Sequence, residues 1–463
     1  MLYPPGTERS PATAPADSPQ SSPTDGLPQP VDPFLLGELS KITSARAGLM
    51  SSVASDAAGA PAPVLAAIDS AVDELAASLI ETSHDLAAHP EVAFEEHRSA
   101  AQLAELVESH GIAVTRGAYG LPTALRAEVA GSGPGPSIAV LAEYDALPGI
   151  GHGCGHNIIA TAGVGAFLAL AKVRDQLPGK IIWMGTPAEE GGSGKELMAR
   201  EGAFDDVDAS IMVHPFTYDC AEPVFLGRRQ LKVIFHGITS HASAQPFMGR
   251  NALDAVNLMY MGVAANRQQM PFTDRVHAVI TEGGERPNVI PDRASILYYV
   301  RSQYPETLKI LSSRMEEIAQ GAGLMAGCGV ELVWDEAPPY LPMRGNTALA
   351  QSWNRRYGDR GHEVLPAGVL PSSSPDPPTS AMSASGSPAL HPMVKITGPE
   401  FSLHTRDFAA EAITETADRV IIDSAGAMAA VAADYLCDPD LQAEVRAEFD
   451  DAGGAVDVPH YFD

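Results

Sequence analysis

The chain has 463 residues, of which 45% are apolar and 19% charged. That length exceeds one ordinary core and implies at least two domains. The formal charge of −28, from 30 basic and 58 acidic residues, argues against nucleic-acid or anionic-membrane partners. The cysteines Cys154, Cys220, Cys328 and Cys437 form no C-x-x-C pair, which fits a reducing, cytoplasmic setting better than a disulfide framework. No charged and apolar leader marks a signal peptide, and no apolar stretch is expected to reach membrane-spanning length.

Residues 1–33 are rich in Pro, Ser, Thr and Asp and read as a disordered tail. A helix is expected from about Pro63, where Leu65, Ile68, Val72, Leu75 and Leu79 recur at helical spacing. Another covers Glu96–Ser109. Then strands and helices alternate: Ser137–Ala142 strand, Asn157–Lys172 helix, Lys180–Met184 strand, Lys195–Arg200 helix, Ala209–Val213 strand. This order implies an α/β unit whose mixed sheet is largely parallel.

From Leu231 the order becomes strand, helix (Ala252–Gln268), strands Val276–Glu282 and Ala294–Arg301, helix (Pro305–Ala322), strand (Val330–Asp335). That is the ferredoxin-like α+β succession. It reads as a domain at 227–340 inserted into one formed by 63–226 and 341–437. A closing helix is expected at Ile413–Leu436, and 438–463 reads as an acidic, frayed tail.

The chemistry-bearing residues follow the apolar runs, where open α/β sheets place their sites. In Gly151-His152-Gly153-Cys154-Gly155-His156, glycines allow a tight turn, and one residue between Cys154 and His156 lets both reach one centre. A glycine-rich turn around a buried thiol is the alternative, and His152 reads equally well as a supporting group. Glu189-Glu190 follow the strand after Gly185-Thr186-Pro187-Ala188. One carboxylate suits a metal and the other a proton. The alternative is a charge pair at a helix start. His214 and His404 complete a set able to hold two ions, which can share a hydroxide and polarise a carbonyl. His241 and Asn288 are candidate donors to a developing oxyanion, or simply turn residues.

These segments resemble the zinc amidohydrolase superfamily that contains aminoacylase, carboxypeptidase G-type enzymes and auxin-conjugate hydrolases, nearest the p-aminobenzoyl-glutamate hydrolase and dipeptidase branch. The resemblance spans roughly residues 63–437. It rests on His89-Pro90-Glu91, Phe94-Glu95-Glu96, Ala142 to Pro148, Gly151 to Asn157, Glu189 to Gly192, His214-Pro215, Ser240 to Ser243, Asn288 to Asp292 and His404-Thr405. It implies a metal-dependent hydrolase of N-acyl amino acids, p-aminobenzoyl-glutamate-like conjugates or dipeptides. It further implies Cys154 as bridging ligand, His156, Glu190, His214 and His404 as the other ligands, and Glu189 as general base. Asp145 would support the site, and Arg301 is a candidate for a substrate carboxylate. Two divalent ions are implied, zinc first and manganese second. The inserted domain would form a homodimer and carry His241 to the partner's site.

One stretch departs from the resemblance. Where relatives carry S-T-D-F-G-N-V-S, this chain reads Pro377-Pro378-Thr379-Ser380-Ala381-Met382-Ser383-Ala384. A string coding for the family loop yields this octet when read one base out of frame, so two compensating shifts around 368–387 are one reading and a Pro/Ser-rich loop the other. If the protein carries this sequence, a catalytically impaired metal- or ligand-binding homologue is the alternative function.

Overall fold

The structure, a computed structural model, describes residues 33–370 and 386–463. The leading tail before Pro33 and the Pro377–Ala384 departure lie outside the described residues.

A six-stranded sheet runs in the order Val114–Arg116, Leu125–Ala130, Lys180–Thr186, Ser137–Glu143, Ala209–Ile211, Ala389–Leu390. The last four strands are mutually parallel, and the first two are antiparallel additions. Every residue of Ser137–Glu143 is buried, which explains its continuous apolar run. Helices Ala62–Ala88, His156–Lys172 and Glu415–Cys437 pack with this sheet into one core. Ile68, Val72, Leu75 and Leu79 all point into it, as their spacing required. Gly163 permits the helix to lie against the sheet: a Cβ there would stand 2.8 Å from the Leu141 carbonyl oxygen.

The second sheet is antiparallel throughout, in the order Gly329–Trp334, Gly227–His236, Arg293–Ser302, Arg275–Glu282. Helices Ala252–Asn266 and Pro305–Ala326 cover it. Leu231, Phe235, Met259, Ile296 and Met315 belong to its separate core. This is the expected ferredoxin-like order, placed within the chain between the two parts of the first unit.

Three expectations need correction. The run at Ala209–Val213 stops at Ile211, and His214 opens a second strand, His214–Phe216, parallel to Met393–Lys395. The segment after Leu390 takes over the backbone pairing there, with His214 N–H donating to the Pro392 carbonyl (2.9 Å). The acidic tail is ordered as helix Pro439–Asp451. Asp438 caps it by accepting from Asp440 and Leu441 N–H, and Leu441, Val445 and Phe449 are buried. Finally, Glu415–Cys437 has the length and apolarity of a membrane span, but 83% of its apolar window is buried. Packing between helices accounts for its composition.

Candidate metal centre

Several loops at the C-terminal ends of the parallel strands are tied together by carboxylates. Glu96 is fully buried. It accepts from Phe94 N–H (2.9 Å) and Ala188 N–H (2.8 Å) through one oxygen and from the Thr123 hydroxyl (2.9 Å) through the other. Ala188 is thereby held at φ 57°, beside Ser193 at φ 55°. Such positive-φ positions cost about 1–3 kcal/mol each and persist only where their surroundings enforce them. They turn the chain so that Glu189 and Glu190 project at the strand end.

Asp145 joins this loop to the glycine-rich one. Its Oδ2 accepts from Glu190 N–H (2.8 Å), while its carbonyl oxygen and Oδ1 lie 2.8 and 3.1 Å from His156 Nδ1. His156 therefore donates through Nδ1 and turns the lone pair of Nε2 toward the centre. His214 is fixed likewise, with Nδ1 2.8 Å from the Pro215 carbonyl oxygen. Gly155, at φ 72°, starts the helix that carries His156, and a Cβ there would meet the Pro215 ring at 2.8 Å. His404 stands at φ 60°, and its N–H donates to the Gly153 carbonyl (3.0 Å).

The donor atoms gather into three groupings, each within 4.8 Å: Cys154, His156 and His214; Cys154, Glu190 and His404; His156, Glu189 and Glu190. Cys154 belongs to the first two. The first grouping is wholly buried, whereas the His404 side chain in the second is 48% exposed. His156 Nε2 and Glu190 Oε1 are buried without a hydrogen-bond partner, a costly arrangement unless a cation takes their lone pairs. Sulfur, nitrogen and carboxylate donors in this number suit a divalent transition metal such as zinc.

The electrostatics agree. Burial, with Glu190, Glu189 and Asp145 nearby, pushes the Cys154 thiol well above its usual range. Burial opposes charge on His156, but Asp145 and then the two glutamates outweigh it and raise the imidazole to about 9. Burial and His156 push His214 down to about 3. Burial would raise Asp145, yet His156 and the Glu190 and Glu189 N–H groups bring it below its usual value. Without a cation the cluster holds protons on Cys154 and His156. An ion binding there displaces them.

A cleft of about 260 Å³ opens beside Glu189, Glu190 and His404. Its far wall comes from the second sheet. Arg228 and Arg301 are direct cross-strand partners, and both line it with Tyr299 and Tyr340. The buried Arg228 guanidinium lies 4.8 Å from the Tyr299 ring centre and 4.9 Å from that of Tyr340; Arg301 lies 5.1 Å from Tyr299. Two hollows of about 430 Å³ elsewhere contain none of the donor groupings, so size alone does not mark the site.

Thus Cys154, His156, Glu189, Glu190, His214, His404 and Asp145 come together, with Arg301 across the cleft. His241 and Asn288 do not join them. They sit side by side where Ser240–His241 pairs with Val289–Ile290, exposed and away from the cleft lining. His152 is buried behind His156, pushed down to about 4 by burial and by that neighbour. Sequence reasoning gave no role to Arg228, Tyr299, Tyr340 or His391. His391 is buried with its ring centre 6.0 Å from that of His214. The His-Pro pair after the apolar Ala389-Leu390 was its only signal.

The family described as Peptidase family M20/M25/M40 matches residues 139–341. Over 393 residues the chain is 36% identical to Xaa-Arg dipeptidase of Mus musculus, covering 82% of this chain and 90% of that relative. It is 39% identical over 300 residues to one of the subunits of p-aminobenzoyl-glutamate hydrolase from Escherichia coli (strain K12), covering 60% of this chain and 62% of that relative. Among solved structures, a Bacillus subtilis dinuclear metal binding peptidase from the M20 family shares its fold, with TM-score 0.57 and 20% identity over 79% of this chain and 99% of that one.

Proposed function

This chain belongs to peptidase family M20/M25/M40 and is a metal-dependent amidohydrolase, and we propose that it splits the amide bond of a small dipeptide, N-acyl amino acid or p-aminobenzoyl-glutamate-like conjugate. One observation carries this reading: Cys154 is shared by two donor groupings, and the glutamate pair beside them borders a cleft. Two divalent ions, zinc first and manganese second, would polarise the scissile carbonyl and acidify a water.

The protein's own groups do the rest. Glu189, only 7% exposed, takes a proton from the attacking water as the C–O bond forms. It then returns a proton to the departing nitrogen as the C–N bond breaks. Glu190 and His404 stand together, Oε1 and Nε2 3.6 Å apart, and serve as ligands. Arg301, with Arg228 behind it, faces a carboxylate of the substrate.

The exposed position of His241 and Asn288 fits a role in a second subunit. Arg275–Glu282 is an edge strand with Val279 and Ile280 exposed, beside a helix exposing Tyr260 and Met261. An apolar sheet edge of this kind pairs readily with its own copy. A homodimer formed there would carry His241 toward the partner's cleft. Mixing inactive Glu189→Gln with inactive His241→Ala protein then restores part of the activity. Subunit exchange without recovery would reject the shared site. None of the four cysteines is in a disulfide, which suits a cytoplasmic enzyme.

The direct experiment is hydrolysis of dipeptides, Xaa-Arg peptides first, then N-acyl amino acids and p-aminobenzoyl-glutamate, with zinc or manganese added and removed. The proposal expects turnover that chelation abolishes. Metal uptake without hydrolysis of any of these would favour an impaired binding homologue, the reading supported by the divergent sequence at Pro377–Ala384.

A further inference from the structure

The chain passes from the first unit to the second at Gly227 and returns past Tyr340, and the two crossings are paired. Arg228 N–H donates to the Tyr340 carbonyl (2.8 Å) and Tyr340 N–H to that of Arg228 (3.1 Å). Both residues line the cleft. The Arg228 guanidinium also donates to the Ser193 hydroxyl oxygen (2.8 Å) and the Pro338 carbonyl (3.0 Å), and Ser193 lies in the loop that follows Glu189 and Glu190. A third stretch of chain meets this junction. After helix Pro439–Asp451, Arg344 donates to the Ala452 and Gly454 carbonyls. Residues 456–462 then run onto the second unit. Val458, 2% exposed, forms a small core with Tyr340 and Leu341, and Val456, Tyr461 and Phe462 pack against it. Phe462 also packs on the core of the second sheet. The Arg229 guanidinium carbon lies 4.2 Å from the centre of its ring and 4.1 Å from that of Trp334. Lys309, from the helix covering the second sheet, donates to the Tyr461 carbonyl (3.3 Å).

We propose that residues 456–462 are a clasp across this junction, in which Val458 and Phe462 are positioning residues that hold the Arg228–Tyr340 wall opposite Glu189. The inference rests on the hydrolase reading above, in which Arg301, with Arg228 behind it, takes a substrate carboxylate. Successive residues of a strand face opposite sides, and the clasp seats both: Val458 packs with the tyrosine beside Arg228, and Phe462 covers Arg229. Two paired crossings alone form a hinge about which a sheet can tilt. Apolar contacts on either side of that hinge fix the distance between the wall and the glutamate loop. A displacement of about 1 Å at a substrate-positioning group can cost about 10²-fold in rate, so this attachment bears directly on recognition. None of the clasp residues belongs to a donor grouping; the clasp acts on where the substrate lies.

The test pairs hydrolysis with amide hydrogen exchange, both on the full chain. Val458→Ala/Phe462→Ala should keep the parental metal content. It should raise KM about tenfold at unchanged kcat for substrates bearing a free carboxylate, the pattern of lost substrate binding, and leave their amidated counterparts unaffected. The Arg228 and Tyr340 amides, whose hydrogen bonds join the crossings, should exchange about tenfold faster in the same protein. Val458→Ile/Phe462→Tyr should return both measures to parental values. Leu441→Ala, at a buried position of the preceding helix, should lower the Tm without changing the preference for a free carboxylate, which separates positioning from stability. An unchanged preference or unchanged exchange in the folded double variant would each overturn the clasp. A parent that hydrolyses none of these substrates would overturn the hydrolase reading instead. Exchange then decides the clasp alone: faster exchange in the variant supports it and parental exchange refutes it. Should the double variant fail to fold, Phe462→Ala at its half-buried position is read by the same two measures.

Discussion

The two halves of the donor cluster are built differently. The inner half, with Cys154, His156 and His214, is buried, and its histidines are oriented by main-chain carbonyls at the ends of parallel strands. The outer half, with Glu190 and His404, stands on loops bent through positive φ and faces a cleft. Rigid anchoring suits residues proposed as ion ligands. Residues that meet substrate need access, and here that access comes with local strain held by Glu96 and Asp145.

The contrast breaks if Glu189, on the outer side, is dispensable. Glu189→Gln should keep its metal and fold but lose about 10²–10⁴ in turnover, measured by steady-state hydrolysis at fixed metal content. Wild-type turnover would reassign the proton carrier.

Histidine removal on either side sharpens the comparison. His214→Ala and His404→Ala should each weaken one metal equivalent. Only His214→Ala should also destabilise the metal-free fold, by about 2–4 kcal/mol as expected for a cavity at a buried side chain. His404→Ala should stay within about 0.5 kcal/mol. Denaturant melts of both metal-free proteins would show equal losses if the distinction is false.

Acidity offers a third test, on His404→Ala protein so that the inner half is read alone. With its pKa near 9, His156 is protonated at neutral pH in metal-free protein. Zinc affinity should rise at least tenfold per pH unit from about 6.5 and flatten in its His156 contribution above about 9. The metal-free fold should move oppositely. A histidine whose folded pKa is raised contributes fully below about 6.5 and loses that contribution as pH rises through about 9. A flat affinity profile would show that His156 gives up no proton.

The smallest effect belongs to the far wall. Arg301→Ala should raise KM about tenfold, or 1.4 kcal/mol, for substrates bearing a free carboxylate and leave their amidated counterparts unaffected. Equal changes for both would remove Arg301 from carboxylate binding.

Much of this was legible in the sequence where local physics decides. Buried strands such as Ser137–Glu143 are continuous apolar runs, helix Ala62–Ala88 shows its stripe, Glu189 and Glu190 closely follow the strand Lys180–Thr186, and Cys154 sits in the glycine-rich loop between Ser137–Glu143 and the next helix. Topology hid the rest. Arg228 and Tyr299 lie on separate strands of the second sheet, and nothing local says that they face Glu189. The last helix was overlooked because its acidic composition outweighed a legible cap at Asp438 and the apolar spacing of Leu441, Val445 and Phe449. The strand at His214 was displaced because its partner, Met393–Lys395, arrives some 180 residues later in the chain.

One wall of the cleft belongs to a sheet that shares no strand with the one presenting the metal donors. Side chains along Gly227–His236 and Arg293–Ser302 alternate between the core and the opposite face. A lineage can therefore redraw this cleft wall, proposed to read the substrate, by exchanging alternate residues on two strands, while the loops carrying the donor groupings stay untouched. On the proposed role of Arg301, selectivity and reactivity lie on separate modules, and an enzyme of this build can change its diet without relearning its chemistry.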